Sequence, residues 1–138
     1  LLLGYINLIL GISFGSQIFY VLLLGLIGTL TGVSFGTCVT LIIKGGPGVK
    51  IAIFVVSTNL LSFLAGMMYA PMKYIIDKNV PLVNRLNPVN LISEGFFSLN
   101  FYSVPTYLFI NIFILLGMIL VFGIITTLAL RRKKYASI

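Results

Sequence analysis

Gly32-Val33-Ser34-Phe35-Gly36 has the Gly-x-Ser-x-Gly spacing that presents a nucleophilic serine on a sharp strand-to-helix turn in soluble hydrolases. Gly11-Ile12-Ser13-Phe14-Gly15 repeats the spacing around Ser13. A serine nucleophile needs a base within hydrogen-bond reach and a third group to orient that base. The chain has no histidine and only two acids, Asp77 and Glu94, so the usual triad cannot be built. A serine–lysine pair fails on distance, because the nearest lysine, Lys44, stands ten residues from Ser34, roughly 15 Å along a helix. No catalytic residue is assigned. The same scarcity of ligand-type side chains assigns no metal site and no cofactor to this chain. The single cysteine, Cys38, lies in an apolar run and reads as a small buried hydrophobe.

The elements around these motifs belong to a membrane. Hydrophobic residues are 59% of the chain, charged residues 8%, and the mean hydropathy is +1.17, far from the roughly one-quarter charged composition of a soluble domain. A helical span needs about 20 largely apolar residues, and uncharged runs of that size occur at 17–43, 51–70 and 106–130. Residues 1–12 are apolar but too short to cross, and the basic n-region of a signal peptide is missing before them. They read as the end of an earlier span, in the C-terminal part of a longer protein. The expected fold is therefore an all-α polytopic membrane protein with three full transmembrane helices and the end of a fourth.

On a helix the glycines have another meaning. Gly28, Gly32, Gly36 and Thr40 recur every four residues and share one face. Thr58, Ser62, Gly66 and Ala70 form a second such stripe on the next span. Small residues at this spacing let membrane helices approach closely, so Gly28, Gly32, Gly36, Ser62 and Gly66 are expected to serve helix packing within the chain, with a dimer contact or a moving interface as the alternative. Ser57, Thr58, Asn59 and Ser62 make a mildly polar patch without any charge. Such a patch either bonds neighbouring helices or lines a translocation path for bulky amphipathic cargo. It does not suit an ion relay, which places an acid in mid-membrane.

Residues 71–105 are too polar to span and too apolar for an ordinary wet loop. Asn87 followed by Pro88 predicts a helix start, with Val89, Ile92, Phe96 and Leu99 on one face and Asn90 and Glu94 on another. The segment "MKYIIDKNVP" predicts another short helical piece stopped by Pro81, and Phe101, Tyr102 and Tyr107 read as aromatic anchors. The last two spans are thus joined by a short re-entrant or interfacial helical segment. Glu94 reads as an interfacial charge or as a group that gates cargo release.

Lysine and arginine in short loops are retained on the cytoplasmic side. The tail Arg131, Arg132, Lys133, Lys134 and the loop from Lys44 to Lys50 hold six of the nine basic residues, and alternating spans put both on one side. The opposite short loop around Gly15, Ser16 and Gln17 carries no charge. The net charge of +7 is thereby explained by topology and contact with the lipid bilayer, with no nucleic acid partner.

The order of these parts resembles the C-terminal half of the membrane subunit of ABC-2 type transporters, the exporter permeases of bacterial ATP-binding-cassette systems. A glycine-rich span "GLIGTLTGVSFGTCVTLII" is followed by the basic turn "KGGPGVK", a span ending "LLSFLAGMMYAP", then "VPLVNRLNPVNLISEGF" and a last span with a basic tail. The resemblance implies a plasma-membrane subunit, C-terminus inside, paired with a second permease unit (homo- or heterodimer) and driven by a separate ATP-binding cassette ATPase subunit. It implies that Lys44, Gly45, Gly46, Pro47, Gly48, Val49 and Lys50 contact that ATPase, and that Asn87, Pro88, Asn90 and Glu94 belong to an outer re-entrant segment. The main coupling helix of the family precedes the third span and is not in this sequence. The chain contains no Gly-x-x-x-x-Gly-Lys-Ser/Thr, so nucleotide chemistry would come from the partner. A secondary transporter or channel, or a non-transporting assembly protein, are the alternatives.

Overall fold

In the computed structural model of the chain, residues 2–9, 17–101 and 106–136 are described. The motif around Ser13, the loop residues Gly15 and Ser16, and Tyr102 lie outside them. The described residues form seven helices: α1 (Leu2–Ile9), α2 (Ile18–Ile42), α3 (Pro47–Leu64), α4 (Ala70–Asn79), α5 (Pro81–Arg85), α6 (Pro88–Phe101) and α7 (Thr106–Ala136). Three of them, α2, α3 and Thr106–Tyr135 of α7, are long and apolar enough to cross a bilayer. The protein is an all-helical, multi-pass membrane protein.

Helix ends differ from the apolar runs because proline, glycine and asparagine set them rather than hydropathy. Pro47, Pro81 and Pro88 each take the first position of a helix, where a missing N–H costs nothing. The second span therefore begins at Pro47, not 51, and the connection from α2 shrinks to residues 43–46. Within it Gly45 adopts φ +149°. Pro81 not only stops α4 but opens α5, a turn of helix that hydropathy does not reveal. The last helix continues through the basic tail to Ala136 rather than ending near 130.

The principal packing is α2 along α7. Tyr20 meets Phe109 edge-to-face at 6.3 Å, Phe35 meets Phe122 at 5.6 Å, and Leu41 and Leu130 line one groove. Residue numbers rise together along both helices, so α2 and α7 run parallel. Phe35 also meets Phe54 of α3 at 6.1 Å, and α3 returns antiparallel between them in sequence. The Lys44–Lys50 turn and the Arg131–Lys134 stretch consequently lie at one end of the bundle, the basic end.

At the opposite end α6 lies against both long helices and closes the core. Val21, Leu24 and Ile27 of α2, Leu91 and Leu99 of α6, and Leu108, Ile112 and Leu115 of α7 form one buried cluster. Within lipid such a cluster holds by dispersion and close fit, since lipid tails are as apolar as leucine. Gly95 of α6 permits the closest approach: a Cβ there would stand 2.7 Å from Cδ2 of the fully buried Leu24. By contrast α3 buries no residue of its own. Thr29, Thr31, Thr40 and Thr127 donate to the carbonyl four residues back, which removes their cost in an apolar medium, whereas the Thr126 hydroxyl is buried without a partner among the described residues.

Candidate functional site

The collar at the far end is built on the end of α3. Ala65 caps the helix, Gly66 takes φ +79°, the Gly66 N–H donates to Phe63 and the Met67 N–H to Ser62. This pair of bonds is a Schellman motif, which requires a left-handed residue after the cap. Gly66 is therefore a turn glycine. The expected stripe Thr58, Ser62, Gly66, Ala70 is cut after Ser62, because α3 ends at Leu64 and Ala70 opens α4. A Cβ on Gly66 would meet Cβ of Lys73 at 2.8 Å, so the turn folds α4 tightly back over the end of α3.

That fold-back carries Lys73 to Glu94 of α6, where Nζ and Oε1 pair at 2.8 Å with both side chains more than half buried. Beside them lies a run of asparagines. The Asn87 Oδ1 accepts from the N–H groups of Val89 at 3.0 Å and Asn90 at 3.4 Å, the N-cap that Asn-Pro predicts. Its Nδ2 donates to the Leu61 carbonyl of α3 at 2.7 Å, so one side chain both starts α6 and ties it to α3. Asn84 Nδ2 donates to Asp77 Oδ1 at 2.8 Å, and Asn90 Nδ2 donates to the Asn84 carbonyl at 3.1 Å. Asn84, Asn87 and Asn90 are all 2% exposed or less. Asn90 thus faces inward, not outward with Glu94 as the amphipathic pattern predicts. The Oδ1 atoms of Asn84 and Asn90 are buried without a partner among the described residues.

The polar patch of α3 does not converge. Ser57, Thr58, Asn59 and Ser62 donate to the carbonyls of Ile53, Phe54, Val55 and Thr58 of their own helix, and Asn59 is exposed while the other three are half-buried. None of the four lines a groove of about 740 Å³ bounded by Thr29, Gly32, Thr37 and Thr40 of α2, Phe54 of α3 and Thr126 of α7. The glycine stripe on α2 divides accordingly. A Cβ on Gly28 would meet Ile92 of α6 at 3.2 Å, one on Gly36 would meet Phe54 at 3.2 Å, and one on Gly32 would meet nothing within 4 Å. Gly32 therefore faces the groove and not the second span. Ser34 is half-buried, and its carbonyl accepts from Thr37.

At the basic end the predicted contact stretch divides between two elements. Lys44, Gly45 and Gly46 form the exposed turn, and Pro47, Gly48, Val49 and Lys50 are the first turn of α3. Gly45, Pro47 and Lys50 border a cavity of about 420 Å³ floored by Gly36, Thr40 and Phe54.

The asparagine run, the Lys73–Glu94 pair and Gly95 are the features that sequence reasoning missed as a unit. Asn87-Pro88 was the one local signal for them. A family model described as ABC-2 family transporter protein matches residues 1–128. No curated protein and no solved structure matches the chain.

Proposed function

Because the chain belongs to the ABC-2 transporter family, we propose that it is the membrane-spanning permease of an ATP-driven exporter that moves an amphipathic substrate such as a drug, peptide, lipid or glycan. The family match over residues 1–128 carries this reading. Members of that family are membrane transport components that associate with an ATP-binding cassette subunit. The further elements, export, amphipathic cargo and pairing with a second permease unit, are supported by chemistry. The spans hold hydroxyls and two amides, Asn59 and Asn111, but no charged pair in mid-membrane, which fits neutral, weakly polar surfaces for bulky cargo rather than ion coupling. The groove beside Gly32 and the unburied shaft of α3 supply surface for a second unit and for a path between the two, with the Ser57, Thr58, Asn59 and Ser62 face of α3 as part of that path.

The basic turn Lys44–Lys50 and the helical tail Arg131–Lys134 share one end of the bundle, and the positive-inside tendency makes that end cytoplasmic, at the plasma membrane of a bacterium. The ATPase subunit docks there, on the turn from Lys44 to Lys50. Asn87, Pro88, Asn90 and Glu94 then lie at the outer end of the bundle, over the exit.

The test is purification of the intact gene product in mild detergent, identification of what accompanies it, and an ATP hydrolysis assay. A stoichiometric subunit bearing a Walker lysine, with hydrolysis lost when that lysine is replaced, is the expected result. Absence of such a subunit under several gentle detergents, with cargo movement following an ion gradient instead, would refute the proposal.

A further inference from the structure

Between α4, α6 and the first turns of α7 lies a second cavity, about 370 Å³, lined by Lys73, Glu94, Phe97, Ser98, Tyr107 and Asn111. The helix α7, long and apolar enough to cross a bilayer, begins at Thr106, so Tyr107 and Asn111 place this cavity at the end of that helix. Its chemistry is two-signed. The Lys73 ammonium and the Glu94 carboxylate meet at 2.8 Å, and with 33% and 39% of their side chains exposed both retain access. Lysine keeps two further N–H donors after that bond, and Glu94 keeps its second oxygen.

The inner wall is polar and mostly accepting. Ser98 and Asn111 are each 7% exposed. The Ser98 hydroxyl donates to the Gly95 carbonyl at 2.8 Å, and Asn111 Nδ2 donates to the Leu91 carbonyl at 3.3 Å. What these two chiefly have left for a ligand is lone pairs, on Ser98 Oγ and Asn111 Oδ1. Phe97 and Tyr107, 59% and 66% exposed, put aromatic surface at the mouth, where amphipathic rings suit the glycerol level of a bilayer.

A single ligand that satisfies this set carries an anionic group beside a cation that still has N–H donors. We propose that the cavity binds the phosphoethanolamine headgroup of a membrane lipid. The phosphate pairs with Lys73, and the primary ammonium donates to Glu94 and toward Ser98 and Asn111. Four charges then alternate in sign, so the Lys73–Glu94 pair need not separate. A trimethylammonium headgroup has no N–H to give Glu94, and a glycerol headgroup brings no cation. None of Ser57, Thr58, Asn59 and Ser62 lines this cavity, and it draws its lipid from the leaflet that the collar faces.

The experiment uses the intact transporter reconstituted in bilayers of equal phosphatidylethanolamine, phosphatidylcholine and phosphatidylglycerol, released gently and weighed by native mass spectrometry with its retained lipids. Phosphatidylethanolamine should be retained about tenfold over phosphatidylcholine, the scale of one hydrogen bond to a charged group. Glu94→Gln, nearly isosteric, should bring that ratio close to one, and Lys73→Met should lower retention of both lipids. Equal retention by the unaltered protein would overturn the proposal without recourse to any variant, as would a folded Glu94→Gln protein that keeps the preference. Water-soluble O-phosphoethanolamine is the control for source: displacement of the lipid by an equal concentration of it would assign the cavity to a soluble zwitterion and overturn the lipid assignment.

Discussion

Replacement of Gly66 by alanine separates a turn glycine from a packing glycine. At φ +79° an alanine pays about 1–2 kcal/mol for the left-handed conformation. Its Cβ would also stand 2.8 Å from Lys73 Cβ and 3.4 Å from the Ala70 carbonyl. Those atoms are fixed by the α4 backbone, so relief requires α4 to move, an overpacking cost of about 1–3 kcal/mol. The sum is a loss of roughly 2–5 kcal/mol. Gly25→Ala is the matched control, because a Cβ at that position would meet nothing within 4 Å, and it should be neutral or stabilising by up to about 1 kcal/mol. Gly66→Asn, which tolerates the left-handed region better, should fall between. Cys38 is the only cysteine and is buried, so a thiol-reactive fluorogenic dye reads unfolding in a detergent melt. A Gly66→Ala protein that melts with Gly25→Ala would refute the turn assignment and restore the glycine to a helix stripe.

Gly95→Ala should destabilise the bundle by about 1–3 kcal/mol, since its Cβ meets the buried Leu24 at 2.7 Å; a melt unchanged from the parent would contradict the α2–α6 approach. Asn87→Ala should cost about 1–2 kcal/mol through the lost cap, while Asn87→Asp keeps the capping oxygen but sets a second acceptor against the Leu61 carbonyl in place of the donor; hydrogen exchange at Val89 and Asn90 should rise more in the first than in the second. Gly32→Leu should leave the chain's own stability within about 0.5 kcal/mol, because the position is open, yet abolish ATP-driven transport or pairing of two copies if the groove is an interface or path. A double-mutant cycle on Lys73 and Glu94 should give a coupling of only about 0.2–1 kcal/mol, both groups being over a third or close to a third exposed; a much larger value would mean the pair is shielded from water.

The spans were legible because a run of apolar residues long enough to cross a bilayer has few other uses. Which helices touch was not. In a helix apolar on every side no stripe singles out a partner, and α2 packs mainly on α7 and α6, meeting its neighbour in sequence at Phe54. The end of α3 was hidden because Met67 and Met68 prolong the apolar run past Leu64, whereas the stop is written in the left-handed Gly66. Asn90 was placed on the wrong face by assuming that polar side chains point outward. Here Asn84, Asn87 and Asn90 turn inward because backbone carbonyls and Asp77 at the junction of α3, α4 and α6 receive their N–H groups. The Lys73–Glu94 pair spans 21 residues, and no local period connects them.

The unburied shaft of α3 has a mechanical consequence. A rod of 18 residues, about 27 Å at 1.5 Å per residue, is held at its foot by the short turn at residues 43–46, along its length by Phe54 against Phe35 and Gly36 of α2, and at its head by the Gly66 turn and the Asn87 bond to Leu61. The helix therefore links the two ends of the bundle as one continuous element, and the Asn87 bond to Leu61 is where its upper end is joined to α6.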